Sequence, residues 1–169
     1  MKKIIKIFII IILLFISIIV MSEFNHGIIP LGKKAYIDCP NISSIIAKKQ
    51  ADKYMDALTN KDIELLYTLI IDSGNNKTID KYSYKEKMEI FYSKVKINDY
   101  KYQFFYYDDN AYVFAYTMPI EYQDEIIEIS LQIKSHKENI ELLSFGTNDN
   151  KELDTESDLY NLMSSIFSE

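Results

Sequence analysis

Few side chains in this chain are of the types that carry out reactions, and they do not converge. The sequence holds two histidines, His26 and His136, and one cysteine, Cys39. A metal site needs three or four His, Cys or carboxylate ligands at close spacing. A general base needs a partner within hydrogen-bond reach of its substrate. His136 falls inside Ser135-His136-Lys137-Glu138-Asn139, a hairpin-turn sequence in which histidine is ordinarily solvated. His26 lies in a stretch rich in glycine and proline. Cys39 has no second thiol to pair with inside the chain. It reads as a bystander, with pairing between chains or modification as the alternative. Two oxygen-rich stretches, residues 108–110 and 149–154, lack the alternating ligands and central glycine of a calcium loop. The four glycines are scattered at 27, 32, 74 and 146, so no phosphate-cradling loop exists, and there is no Gly-x-Ser-x-Gly elbow. The residues therefore predict no catalytic group, no metal and no cofactor.

The tyrosines are the least ordinary feature. Ten of the fourteen lie between Tyr82 and Tyr122. Tyrosine joins a large apolar body to a polar tip and suits half-exposed surfaces. On this ground Tyr102, Tyr106, Tyr112 and Tyr116 could line one face that takes a partner or a small apolar ligand. The competing reading is that tyrosine, a good strand former, fills a half-buried sheet.

The elements that must position these residues follow from periodicity. From Asn41 the pattern is helical, with Ile42, Ile45, Ile46, Tyr54, Met55 and Leu58 at spacings of three and four. Asn41 or Ser43 can cap its start after Pro40. Asn60-Lys61 breaks it, and a second helix carries Ile63, Leu66, Leu69 and Ile70. Residues 72–78 form a turn cluster. Ser83-Tyr84-Lys85-Glu86 reads as a capping box opening a third helix, with Tyr84, Met88, Phe91 and Val95 on one face. After Lys96 the period changes to two. Tyr100, Tyr102, Phe104 and Tyr106 alternate with Lys101, Gln103, Phe105 and Tyr107. Turns at residues 108–110 and near Gln123-Asp124 separate successive strands, then Ile127, Ile129, Leu131 and Ile133 alternate with polar residues. A last strand runs from Ile140 to Phe145. Short connections imply antiparallel pairing. Residues 148–169 are acidic and amphipathic. Leu159, Leu162, Met163, Ile166 and Phe167 form a stripe that either docks on the sheet or serves as a partner-binding helix.

The first 21 residues differ from all of this. Lys2, Lys3 and Lys6 precede an apolar run from Ile7 to Met21 that only Ser17 interrupts. Residues 4–21 as a helix rise about 27 Å, near the hydrocarbon thickness of a bilayer. Lysines on the amino side predict a cytoplasmic N-terminus and an extracytoplasmic remainder. A cleaved signal peptide is the alternative. Its one tolerable site follows Ser22, with Val20 at the −3 position, and the apolar stretch is long for that role. Cys39 lies too far along to be a lipoprotein cysteine. Residues 22–40 hold two of the three prolines and two of the four glycines and read as a linker. Within it, Ile28, Ile29 and Leu31 either pack on the domain or sit in the headgroup layer. Charge divides in the same way. The whole chain is −6, but residues 22–169 set sixteen lysines against twenty-five acids, a balance of −9 with no arginine. Such a domain is a poor partner for nucleic acid and is repelled by anionic lipid. Abundant Ile and Asn without Arg fits an AT-rich bacterial genome.

The run AKKQADKYMDALTNKDIELLYTLI, residues 47–70, resembles the opening helix pair of the nuclear-transport-factor-2-like, or cystatin-like cone, superfamily. There a long helix ends at a small break, here Thr59-Asn60-Lys61-Asp62, before a shorter helix. The later order of helix and antiparallel strands is similar too, over about residues 43–147. The resemblance implies an α+β fold with helices packed on one face of a curved antiparallel sheet of four or more strands. Enzymes of this fold usually place an acid with His or Tyr in the mouth of the cone. A cone-fold enzyme or carrier for a small hydrophobic ligand would need a buried carboxylate, with Asp56, Asp99 or Glu121 as candidates. A single anchor with such a cone also resembles an inner-membrane component of type IV secretion and conjugation machines, which would imply self-association. Superfamily likeness does not assign function. The residues together predict an anchor over 1–21, a linker over 22–40, an α+β domain over 41–147 and a terminal helix over 148–169. The expected role is a non-catalytic binding or assembly module that meets an envelope protein through the tyrosine face or the terminal helix.

Overall fold

The computed structural model describes residues 2–24, 26, 28–30, 36–38, 40–71, 80–135, 140–147 and 158–167. The turn cluster at 72–78, Cys39, the His136 turn and the acidic stretch 149–154 lie outside them. The chain divides into two units, Met1–Ile46 and Ala47–Glu169.

The first unit opens with α1, Lys2–Phe24. Its span Ile4–Ser22 has a mean hydropathy of 3.3 and buries none of its length in the protein. By length and composition this helix can cross a membrane; a signal sequence meets the same description. Its one interior hydroxyl, on Ser17, donates back to the Leu14 carbonyl at 2.8 Å, so no polar group is left open in the apolar run. The linker departs from the sequence expectation. It contains two short strands, β1 (Ile28–Pro30) and β2 (Tyr36–Asp38), paired antiparallel with Ile29 opposite Ile37. The β-branched Ile28, Ile29 and Ile37 are strand formers, and their preference outweighs the nearby glycines and prolines.

Helix α2, Ile42–Thr59, starts in the first unit and continues into the second. Asn41 caps it. Its side-chain oxygen accepts from the Ser44 amide at 2.6 Å, and the Ser44 hydroxyl accepts from the Asn41 amide at 2.9 Å. This reciprocal pair satisfies two donors at the helix start. The expected apolar face is half wrong. Ala47, Ala51, Tyr54, Met55 and Leu58 are buried, but Ile42, Ile45 and Ile46 are exposed. In the first turns Asn41 and Ser44 take the buried positions instead.

The end of α2 is a left-handed stop. Lys61 has φ 59°, and the Asp62 amide donates to the Ala57 carbonyl at 2.9 Å, five residues back. This is the Schellman pattern. Asp62 then caps α3 (Ile63–Ile71), accepting from the Leu65 amide at 3.0 Å. Helix α4, Lys81–Lys94, begins one turn before the predicted box. Asp80 is its cap, and both the amide and the hydroxyl of Ser83 donate to its carboxylate at 2.9 Å. Ser83 is thus inside the helix; the carboxylate is charged and is the stronger acceptor. The Tyr92 hydroxyl donates to the Leu58 carbonyl at 2.8 Å and ties α4 to the end of α2.

Five strands form one antiparallel sheet: β3 (Val95–Ile97), β4 (Lys101–Asp108), β5 (Ala111–Tyr122), β6 (Glu125–Ser135) and β7 (Ile140–Thr147). The fold is α+β. Strand β3 follows α4 directly; its Val95 reads as helical in the sequence but pairs with Tyr122. Strand β5 lies in the middle, with β6 along one edge and β4 and then β3 along the other. The two tight turns are where the sequence puts them. Asp109 and Asn110 have φ 44° and 61°, and Gln123 and Asp124 have φ 50° and 64°. Positive values at both central residues match the right-handed twist of the strands they join. Helix α5, Asp158–Phe167, closes the described chain and packs on β7, with the rings of Tyr160 and Phe145 5.6 Å apart.

One face of the sheet is covered. Tyr112, Phe114, Tyr116, Met118 and Ile120 of β5 lie beside Ile129, Leu131 and Ile133 of β6, all buried. Two hydroxyls in the helical layer, on Tyr54 and Tyr84, are buried without a hydrogen-bond partner among the described residues. Burial holds both phenols above their usual range. Each hydroxyl has lost water and gained nothing. Tyr54→Phe and Tyr84→Phe should therefore leave stability unchanged or raise it by up to about 1 kcal/mol. Phe114→Ala should lower it by about 3–5 kcal/mol. Urea unfolding of the three variants beside the parent checks the contrast.

Candidate functional site

The tyrosines do not share one face. Strand β4 carries a bulge between Tyr102 and Phe104, where Gln103 is the extra residue. Before it Tyr102 pairs with Tyr116; after it Phe105 pairs with Phe114 and Tyr106 with Val113. Because side chains alternate with period two, one inserted residue reverses every later one. Tyr106 is thereby moved to the opposite face from Tyr102, Tyr112 and Tyr116. The predicted four-tyrosine surface is corrected to three and one.

The three are not an open surface either. Tyr112 and Tyr116 are buried under the helices, and Tyr102 is half-buried. They belong to the covered face, where tyrosine fills the sheet's core. The Tyr116 ring meets Tyr100 at 5.6 Å and Tyr102 at 5.9 Å, both edge-on. Such geometry sets a positive ring edge against a negative ring face.

Polar groups of α2 complete this cluster. Asp52 accepts from the Tyr116 hydroxyl at 2.8 Å and from the Lys48 ammonium at 2.7 Å on each oxygen. Asp56, one turn on, accepts from the Tyr100 hydroxyl at 2.8 Å. Lys48 also stands over the Tyr102 ring at 4.7 Å. The spacing of Lys48, Asp52 and Asp56 at intervals of four puts all three on one helical face, above the first residues of β4. The sequence displayed that interval, but only the fold supplies the tyrosines opposite it. Both phenols are held well above their ordinary value of 10.0. The first cause is burial, and hydrogen bonding to a carboxylate adds to it, since a neighbouring negative charge opposes a phenolate.

This arrangement clamps a helix to a sheet. A general acid or base needs a pKa near the working pH. Tyr100 and Tyr116 are displaced away from neutrality, and each hydroxyl already donates a hydrogen bond to a fixed acceptor. The carboxylates proposed for a cone-fold enzyme lie elsewhere than in a buried mouth. Asp56 and Asp99 are exposed; Asp99 accepts from the Tyr100 amide at 2.7 Å. Glu121 pairs with Lys96 at 2.7 Å across β3 and β5. His26 is exposed, with φ 54°. Among the described residues no three His, Cys, Asp or Glu stand together as metal ligands.

The terminal stripe is engaged within its own domain. Leu159, Met163 and Ile166 are buried and Leu162 half-buried, so α5 has its apolar face on β7 and α4 rather than free for a partner. The face of the sheet away from the helices is the open one. It carries Phe104, exposed, and Tyr106, whose hydroxyl donates to Gln132 at 3.1 Å. Gln103 bonds Thr117 there at 2.8 Å. Val113 and Ala115 lie buried between these larger neighbours. No family model matches the chain, and no curated protein or solved structure matches it either.

Two outcomes test the clamp. Tyr116→Phe removes a hydrogen bond to a charged acceptor and should cost about 1–2 kcal/mol, unlike the same change at Tyr54. In alkali the sign is fixed by the raised phenols. Tyr54, Tyr84, Tyr92, Tyr100 and Tyr116 all lie above the ordinary value of 10.0. The folded state then binds more protons than the unfolded one above that pH. With respect to these groups stability is level below pH 10 and falls as pH rises beyond it. Tyrosinate absorbance should show these five ionising only as circular dichroism reports unfolding. Their ionisation in a chain that remains folded would show that they are not held as described.

Proposed function

We propose that this chain is a single-pass, membrane-anchored binding or assembly module whose folded domain stands outside the cytoplasm and performs no catalysis. One observation carries the reading: Ile4–Ser22 forms an uninterrupted helix of mean hydropathy 3.3 with none of it buried in protein. An apolar surface of that length matches the hydrocarbon thickness of a bilayer, which supports lipid as its surroundings. Three lysines precede or enter it, which favours a cytoplasmic amino end.

The order of two helices broken at residues 60–62, a third helix and then antiparallel strands supports a place in the nuclear-transport-factor-2-like superfamily. The role as a binding module is supported by how the polar groups are used. The strongest constellation, Lys48, Asp52, Asp56, Tyr100 and Tyr116, is spent on joining α2 to the sheet. The partner in this reading is an envelope protein, and the surface left for it is the open sheet face around Phe104 and Tyr106.

Fractionation with intact-mass measurement tests the anchor. Full-length protein should stay with membranes in high salt, and protease added to intact spheroplasts should remove the domain. A soluble product beginning at Glu23 would instead mean a released domain, and the reading would be abandoned.

A further inference from the structure

Three exposed isoleucines lie together at the start of α2. Ile42, Ile45 and Ile46 are 68%, 47% and 56% exposed. They lie at positions i, i+3 and i+4, so they share one face of the first turns. Their place in the first unit is set by a bond to the anchor. The Asn41 side-chain amide donates to the Ser22 carbonyl at 3.4 Å, and both residues are buried. Ser22 closes the apolar span of α1, and Asn41 caps α2. The first turn of α2 is thereby held against the last turn of the membrane helix.

We propose that Ile42, Ile45 and Ile46 insert into the outer leaflet at the boundary between headgroups and acyl chains, giving the protein a second, interfacial membrane contact. This rests on the anchored reading of α1. If α1 spans the bilayer, Ser22 marks the outer edge of the hydrocarbon. The rise from Ile42 to Ile46 is about 6 Å, so the three side chains form one short apolar patch of little more than a turn. Charge supports lipid over a protein occupant. The domain is strongly acidic, yet no acid occurs between Asp38 and Asp52, and Lys48 and Lys49 follow the isoleucines. Lys48 is held by Asp52, and Lys49 is exposed. Acids are thus absent from the one segment that an anionic surface would repel most.

The test uses the full chain with Cys39→Ser, reconstituted in phosphatidylcholine vesicles containing some phosphatidylglycerol. An environment-sensitive dye is attached through Ile45→Cys, or Ile42→Cys as a second variant, or Asp124→Cys at an exposed hairpin tip as reference. Lipids carrying a quencher near the headgroup report contact. Expected is a blue-shifted emission at position 45 and quenching several-fold stronger than at position 124, with the vesicles and protein floating together. Equal quenching at both positions in floating protein overturns the inference and leaves the anchor intact. A blue shift without lipid quenching makes a second copy of the chain the occupant and also overturns it. Protein that fails to float with vesicles overturns the anchor, and the inference with it.

Discussion

A strand in the middle of a sheet must have its backbone met on two edges, and β5 does so with three partners. Strand β6 pairs along its length, β4 covers Ala111 to Thr117, and β3 covers Ile120 to Tyr122. Pro119, which has no amide hydrogen, falls in the gap between β4 and β3. That is where a missing donor costs least. The remaining elements follow from β5. Its Tyr112, Phe114 and Tyr116 are what the helices cover. Its Val113, Ala115 and Thr117 are small, so the larger side chains of β4 and β6 close over them on the open face.

The bulge at Gln103 decides which aromatic residues are core. Without it, Phe104 would fall on the covered face and Phe105 on the open one. With it, Phe105 packs 5.8 Å from Phe114, and Phe104 is left outside with Tyr106. The open face owes its aromatic character to one extra residue. The polar clamp of α2 sits just before that residue, on Tyr100 and Tyr102. The helix is therefore fixed to the part of β4 that is still in its original register.

Much of this was legible in the sequence. Period-two alternation located β6 because its covered face carries Ile129, Leu131 and Ile133. The turn residues at 109–110 and 123–124 showed where the strands reverse. Asn41 and Ser43 both marked the start of α2, of which Asn41 is the cap, and Asn60-Lys61 marked its end. What stayed hidden shares a physical cause. A bulge leaves no mark in a segment whose residues are aromatic on both sides, since Phe104 and Phe105 are equally good candidates for the core. Ser83 has the sequence of a cap, and only the ladder of backbone bonds shows that Asp80 precedes the first turn. Ile42, Ile45 and Ile46 have the period of a buried face. Periodicity says that a helix has an apolar side, not what that side meets. The clamp was hidden because Asp52 and Tyr116 are 64 positions apart.

The strand order also bears on how the chain acquires its structure. Strands β4 to β7 pair with their neighbours in sequence, so each contact closes a short loop. Hairpins of this kind form in about 1–10 μs. Strand β3 is different. It pairs with β5 across the whole of β4, so its contact closes a longer loop at a larger entropic cost. Contact order thus favours the hairpins β4–β5, β5–β6 and β6–β7 over the pairing that joins α4 to the sheet. A chain with a single cysteine gains no covalent hold on intermediates from an internal disulfide. Local pairing supplies the order of events that cross-links would otherwise impose.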